Sequence, residues 1–226
     1  MCGRFSFGTQ TVELGVLAGI PVSIKASFNV APTHAVPAIA KGSKGTKLAY
    51  LHWGLIPRWA KDSTIAAKTI NARSETVAEK PSFRESFTQR RCLIIADGFY
   101  EWKRASGKKQ PWRICQKDRK HFTMAGLWDS WKTPSGESIH SCTVITCPPN
   151  DVVSTLHDRM PVVLDASGGE LWLDKETPES LLHDLMSPSP AHLWEKYEVS
   201  SRINNVRNND KELLDPVPSA EQLSLL

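Results

Sequence analysis

The chain has no long hydrophobic run. Its longest apolar stretches, such as Cys92-Leu93-Ile94-Ile95-Ala96, fall far short of the roughly 20 residues of a bilayer-spanning helix. No membrane protein is expected on that ground. The start, Met1-Cys2-Gly3-Arg4, lacks a basic leader followed by an apolar stretch, so no signal peptide is expected either. Cysteine is scarce and odd in number, five in all. A secreted disulfide framework pairs its cysteines, so the composition points to a reducing compartment. Internal repeats, heptads and low-complexity blocks are missing. So is a glycine-rich phosphate loop after a strand. Cys142 and Cys147 are not spaced as a zinc knuckle, and no second Cys/His pair completes a site. No metal and no nucleotide cofactor are expected.

What is present suffices for a core. The 226 residues are 40% hydrophobic and 23% charged, ordinary values for a chain that folds alone. Short apolar segments bounded by Gly, Pro, Asp and Lys read as strands. They lie near Ala35–Ala40, Lys47–Leu55, Arg91–Ala96, Phe99–Lys103, Pro111–Gln116, Phe122–Trp128, Ser141–Thr146 and Pro161–Leu164. Helices are predicted over Thr9–Ala18, Asn150–Leu156, Ser167–Leu173 and Pro178–Leu185. Asp165 or Ser167 is a candidate cap for the third. Thr177 followed by Pro178 fits an N-cap with proline at the first helical position. The strands are mostly consecutive, without βαβ alternation, which predicts a single antiparallel-rich α+β domain. No separating linker is visible. The domain is expected over residues 2–214, with 215–226 as a loosely held tail.

Net charge is only +4, but it is divided unevenly: residues 1–120 carry +13 and residues 121–226 carry −9. This fits a basic surface facing a polyanion, or two solvated faces without meaning.

Cys2 carries the most distinctive chemistry. Removal of Met1 leaves a free α-amine and a thiol on adjacent carbons. An α-amine has a pKa of about 7.7–8.0, so much of it is neutral and nucleophilic near pH 7. Such a 1,2-aminothiol condenses with an aldehyde to an imine, and the thiol closes a thiazolidine intramolecularly. In isolation, a cysteine at position 2 is far more often an ordinary residue on a frayed terminus.

Six blocks accompany it: Met1-Cys2-Gly3-Arg4-Phe5, Phe28-Asn29-Val30-Ala31-Pro32, Trp53-Gly54-Leu55-Ile56-Pro57, Asn71-Ala72-Arg73-Ser74-Glu75-Thr76, Gly98-Phe99-Tyr100-Glu101-Trp102-Lys103 and His157-Asp158-Arg159-Met160-Pro161. This ordered set resembles the SRAP family (SOS response-associated peptidase, or abasic-site processing proteins), over roughly residues 2–210. The resemblance implies a barrel-like β core flanked by short helices. It implies that Cys2 is an N-terminal nucleophile, that Asn71 orients the terminal amine, that Glu101 shuttles protons, and that His157 is the site histidine. Arg4, Arg73 and Arg159, joined by Arg84, are implied to hold phosphates near the reacting sugar. Asn29, Pro32 and Thr146 are implied to line the pocket, and Trp59 to wedge against bases. Here a single Trp follows Arg58, where some members carry two adjacent aromatics.

Read alone, these residues allow plainer roles. Glu101 between Tyr100 and Trp102 is either a buried carboxyl of raised pKa or a solvated outward strand residue. His157 could be a core or turn histidine. Asn71 could be a turn former or a helix cap before Ala72–Thr76. Trp53, Trp59 and Trp102 are candidate stacking faces; Trp128, Trp172 and Trp194 read as core. Lys103, Arg104, Lys108 and Lys109 read as a solvated hairpin tip, with a duplex phosphate contact as the alternative. The resemblance implies a monomeric protein at the cytoplasmic nucleoid that crosslinks through Cys2 to abasic sites in single-stranded DNA or at strand–duplex junctions. The alternatives are a cysteine peptidase with Cys2 as nucleophile and His157 as base, active on itself or on other proteins, and a non-covalent reader of damaged bases.

Overall fold

In a computed structural model the described residues are 2–8, 11–12, 22–42, 45–105 and 108–217. In chain order the strands are β1 (Phe5–Phe7), β2 (Thr11–Val12), β3 (Val22–Ser23), β4 (Ser27–Val30), β5 (Ala35–Gly42), β6 (Gly45–Trp53), β7 (Asn71–Arg73), β8 (Arg91–Ala96), β9 (Gly98–Ala105), β10 (Lys108–Gln116), β11 (Phe122–Lys132), β12 (Ser138–Cys147), β13 (Met160–Pro161), β14 (Val163–Leu164) and β15 (Trp194–Glu198). The α-helices are short: α1 (Arg84–Gln89), α2 (Asp151–Ser154), α3 (Ala166–Leu173) and α4 (Glu179–Leu185). Among the described residues, no helix is long and apolar enough to cross a membrane.

Five strands close into a barrel. β6 pairs with β5, β5 with β8, β8 with β11 and β11 with β12, all antiparallel, and β12 returns to β6 in parallel. Closure leaves no edge among these five. β8 is buried at every position, Arg91-Cys92-Leu93-Ile94-Ile95-Ala96, because one face fills the barrel while α1 and α3 cover the other. That explains why it reads as a continuous apolar run and not as an alternating one. The barrel interior admits little variation: a Cβ on Gly126 would lie 2.9 Å from Ile94 Cδ1 and 3.0 Å from the Thr143 carbonyl.

A second sheet, in the order β15-β10-β9-β1-β4, is covered on both faces. On one, Phe99 packs edge-on against Trp194 at 5.9 Å between ring centroids, and Phe5 meets Trp53 of the barrel at 4.9 Å. On the other, Tyr100 is buried with Val199, Ile203 and Leu213, so the segment after β15 roofs the outer face.

The start of the chain is thereby a central strand. β1 lies between β4 and β9, with Phe5 opposite both Val30 and Phe99. A buried polar knot fastens it. The Asp97 carboxylate accepts from Ser6 Oγ at 2.5 Å, from Gly8 N at 2.6 Å and from Arg113 Nη2 at 2.9 Å. Asp97 and Arg113 are both buried. Gly98 is required beside them, since a Cβ there would lie 2.8 Å from the Arg113 guanidinium.

The fold is the α+β, antiparallel-rich, barrel-like architecture with short flanking helices that the sequence predicted. Each of the eight predicted strand segments contains a strand, but the one over Lys47–Leu55 ends at Trp53 and the one over Pro161–Leu164 is divided at Val162 between β13 and β14. The helix over Asn150–Leu156 shortens to α2, with Asn150 Oδ1 accepting from Val153 N. Asp165 caps α3 by accepting from Gly168 N at 2.7 Å. Thr177 does not cap α4: its hydroxyl donates to the Leu171 carbonyl, and α4 starts after Pro178 without a side-chain cap. Of the helix predicted over Thr9–Ala18, only Thr11 and Val12 fall within the described residues, and they are extended, paired with Val22 and Ser23; the rest lies outside them. At the other end, Val217 N donates to the Glu198 carbonyl at 3.0 Å, so residues as far as 217 are tied to β15; 218–226 lie outside the described residues.

Removing one member of the knot strands the other. Asp97→Ala should destabilise the protein by about 3–5 kcal/mol, because Arg113 is left as an uncompensated buried charge. Urea denaturation of this variant and of the Asp97→Ala/Arg113→Met pair checks it: the double variant is expected to be the more stable of the two.

Candidate active site at the leading end of the chain

The last ladder bond between β1 and β9 runs from Tyr100 N to the Arg4 carbonyl at 2.9 Å. Beyond it the chain turns away from β9. The Cys2 carbonyl accepts instead from Asn71 Nδ2 at 2.8 Å. Asn71 is neither a turn former nor a helix cap. It opens β7, which lies parallel to β12 with Asn71 opposite Val144. Its Oδ1 is buried and makes no hydrogen bond. Cys2 itself is fully buried. Burial, aided by the negative charge of Glu101, pushes its thiol up to about 12, so in the chain carrying Met1 it stays protonated at neutral pH.

Glu101 is on β9, three residues beyond Gly98, and is 5% exposed. The solvated reading of this residue is therefore overturned; its strand is covered on both faces. Burial, with the charge of Asp158 in the same direction, raises its carboxyl to about 7. Such a group holds or releases a proton near neutrality. It lines an open cleft of about 620 Å3 together with Arg4, Trp102, Lys109, His157 and Asn204. His157 follows α2. Its Nδ1 accepts from Arg159 N at 3.0 Å and lies 2.8 Å from Asp158 Oδ1. Its pKa is lowered, chiefly by burial, with Asp158 opposing. A neutral imidazole beside a carboxyl of raised pKa is a pair suited to proton transfer in both directions.

Arg4 is held in place. Its Nη1 donates to Asn29 Oδ1 and to the Ile203 carbonyl, both at 2.7 Å, and its guanidinium lies 5.6 Å from the Trp102 ring centroid. Asn29 is buried, and its Nδ2 donates to the carbonyls of Ile203, Asn205 and Asn208. It therefore fixes the 203–208 segment against the cleft. Pro32 is half-buried, in the turn after β4.

The remaining candidates are placed differently. Arg159 is buried and bound on both sides. It forms a bidentate pair with Glu75, 2.5 and 2.8 Å, and Nη2 also donates to the Thr146 carbonyl. Thr146 is fully buried with its hydroxyl directed to the Ala72 carbonyl at 3.3 Å. Arg73, opposite Thr146 in the ladder, is exposed. Trp59, 54% exposed, and Arg84 share a separate depression of about 330 Å3 with Pro81 and Glu85. Trp53 is no stacking face: it is fully buried, with Nε1 donating to the Ile70 carbonyl. Trp172 and Trp194 are core, and Trp128 is half-buried. Lys109 belongs to the cleft, so the basic run is not merely a solvated tip.

Two residues escaped the sequence reading. Glu75, the partner of Arg159, lies inside a quoted block yet carried no signal of its pairing. Asn204 sits in a polar segment with no local mark of a site.

The chain matches the model of a family described as SOS response associated peptidase (SRAP) over residues 1–206. It is 42% identical over 222 residues to "Abasic site processing protein YoqW" of Bacillus subtilis, covering 95% of this chain and 99% of that one. It is 37% identical over 191 residues to "Abasic site processing protein HMCES" of Xenopus tropicalis, covering 74% of this chain and 56% of that longer protein. A solved structure of a Bacteroides thetaiotaomicron protein superposes with a TM-score of 0.85 at 24% identity, over 96% of this chain and 100% of that one; it shows the shared fold.

The raised pKa of Glu101 has a consequence for stability. The folded state holds this proton more tightly than the unfolded chain, whose carboxyl titrates near pH 4.3. Its contribution is intact below that pH and is lost as pH rises through about 7. Glu101→Gln should therefore be more stable than wild type by about 1–3 kcal/mol at pH 8–9 and nearly equal to it at pH 4. Urea denaturation of both proteins across this range measures the difference.

Proposed function

The chain belongs to the SOS response associated peptidase family, and we propose that it processes abasic sites in DNA by capturing them covalently at Cys2. The observation that supports this most directly is the junction at the chain's leading end. Asn71 grips the Cys2 carbonyl, and the carboxyl of Glu101, near pH 7 in its titration, is close enough to perturb the Cys2 thiol.

Loss of Met1 by hydrolysis of its peptide bond frees the Cys2 α-amine. The buried thiol needs a base to act in that self-cleavage, and the Glu101 carboxylate, whose charge acts on that thiol, is the candidate. In the capture reaction the abasic sugar, a closed hemiacetal, must first open. Glu101 in its acid form protonates the ring oxygen while His157 takes the C1′ hydroxyl proton. The amine attacks the C1′ aldehyde, and loss of one water gives the imine. The thiol then adds to C1′. Its proton passes to the Glu101 carboxylate, and the imine nitrogen takes back the proton held on His157 as the thiazolidine closes. Closure consumes the imine that would otherwise permit β-elimination and strand breakage. The substrate is a single strand or a strand–duplex junction, because the sugar must reach a terminus buried next to the cleft residues Arg4 and Glu101. Arg4, Lys109 and the ring of Trp102 offer charge and a stacking face to such a strand.

Intact-mass measurement after incubation with an abasic single-stranded oligonucleotide tests the proposal. The expected product is the protein lacking Met1 plus the oligonucleotide, less one water, and it survives heating. Cys2→Ala should form none; a heat-stable adduct in that variant overturns the reading. Glu101→Gln should slow capture by about 100-fold or more. Salt-sensitive binding that persists in Cys2→Ala without any adduct in the wild type would favour the non-covalent reader.

A further inference from the structure

The outer part of the cleft is lined by Trp102, Lys109 and Asn204, to which the chemistry above gives no proton-transfer or bond-forming role. Three observations bear on what they bind.

The first is a sheet edge that no described residue fills. Backbone groups of an antiparallel strand point alternately to its two neighbours. Tyr100 N points to β1, where it meets the Arg4 carbonyl. Trp102 N shares that direction. A continued ladder would bring it to the Cys2 carbonyl, which is turned to Asn71 instead. On its other side Trp102 lies opposite Pro111, a residue with no N–H to donate. The N–H of Trp102 thus faces the edge that β1 vacates.

The second is the orientation of an amide. Trp102 Nε1 donates to Asn204 Oδ1 at 2.7 Å. An indole nitrogen only donates, so this bond settles which end of the amide is oxygen. The Nδ2 group is left as a donor at the cleft, and Asn204 makes no other side-chain hydrogen bond among the described residues. Asn29 holds the backbone on both sides of it, through the carbonyls of Ile203 and Asn205.

The third is charge. Lys109 is exposed, lines the same cleft and has no ion-pair partner among the described residues. Arg4 lines it as well. The outer wall therefore presents a backbone N–H, an amide NH2 and an ammonium, donors for which the described residues supply no matching acceptor. That set fits an anion of several oxygens.

We propose that Trp102 N, Asn204 Nδ2 and Lys109 Nζ form a phosphate subsite that receives a phosphodiester flanking the captured sugar. The proposal rests on the reading of the site as an abasic-DNA site. The subsite would set how tightly the strand is held, and leave the bond-forming steps to Cys2, Glu101 and His157.

The test uses the full chain and single-stranded oligonucleotides with one central abasic site, with capture rate followed against oligonucleotide concentration. Lys109→Ala and Asn204→Asp are each expected to raise the half-saturating concentration about 5–10-fold, with less than a twofold change in limiting rate. Asn204→Asp keeps an oxygen for the Trp102 indole, so the wall is retained while a donor becomes an anion. For Lys109→Ala the slope of log affinity against log salt should fall by about 0.7, the value for one single-strand phosphate contact. A neutral methylphosphonate at one flanking position should weaken wild type by a similar factor and leave Lys109→Ala almost unaffected. Half-saturation unchanged in both variants, or equal losses in wild type and Lys109→Ala for every methylphosphonate position, overturns the subsite. The same comparison by equilibrium binding in a Cys2→Ala background separates the two ideas. Absence of any wild-type adduct sinks covalent capture, whereas equal affinities in that background sink the subsite alone.

Discussion

The structure depends on holding the beginning of a chain still. A terminus normally frays, since it has covalent restraint on one side only. Here residues 5–7 form an interior strand, bonded on both sides. The Asp97 carboxylate ties Ser6 and Gly8 to Arg113 on a neighbouring strand. Two buried charges seldom add net stability compared with apolar packing, but a pair of this kind specifies one arrangement, because either partner alone is costly. The position of Cys2 follows from that arrangement, three residues before a strand that has no freedom to slide.

Two carboxylates near the same strand illustrate how environment assigns roles. Asp97 is buried among donors from a hydroxyl, a backbone amide and a guanidinium, and serves as a fastener. Glu101, four residues later, is buried beside a thiol and an open cleft, and burial dominates its titration. One is neutralised by a partner. The other is left near the point of balance between acid and base, which is where proton transfer is most effective. The early end of β1 contributes in the same place. By not continuing along β9, the chain leaves a cleft and, among the described residues, an open sheet edge near Cys2.

Arg159 lies close to the site but is engaged within the protein. Its neighbour His157 lines the cleft, yet its own guanidinium is committed to Glu75 and the Thr146 carbonyl. The pair braces β7 and β12, the same two strands that present Asn71. In this arrangement its guanidinium pairs with Glu75, and its backbone N–H donates to His157 Nδ1.

Local pattern determined much of this protein. Short apolar runs between Gly, Pro and charged residues marked eight strands, because alternation and punctuation are properties of neighbours in sequence. The helix starts at Asn150 and at Asp165 or Ser167 were marked for the same reason. The six ordered blocks marked the family, and the resemblance pointed to Cys2, Asn71, Glu101 and His157 as candidates for its site. Tertiary structure decided the rest. The strands β1, β4 and β15 are too brief to declare themselves and exist only because each has a partner waiting in the second sheet. The burial of Glu101 and Trp53 depends on what covers their strands, which no local pattern records. The gathering of Arg4, Lys109 and Asn204 around one cleft joins residues far apart in the chain. Hydrophobic periodicity reports which way a side chain faces, whereas a site is made by which distant elements meet there, and only the closed barrel and its companion sheet settle that.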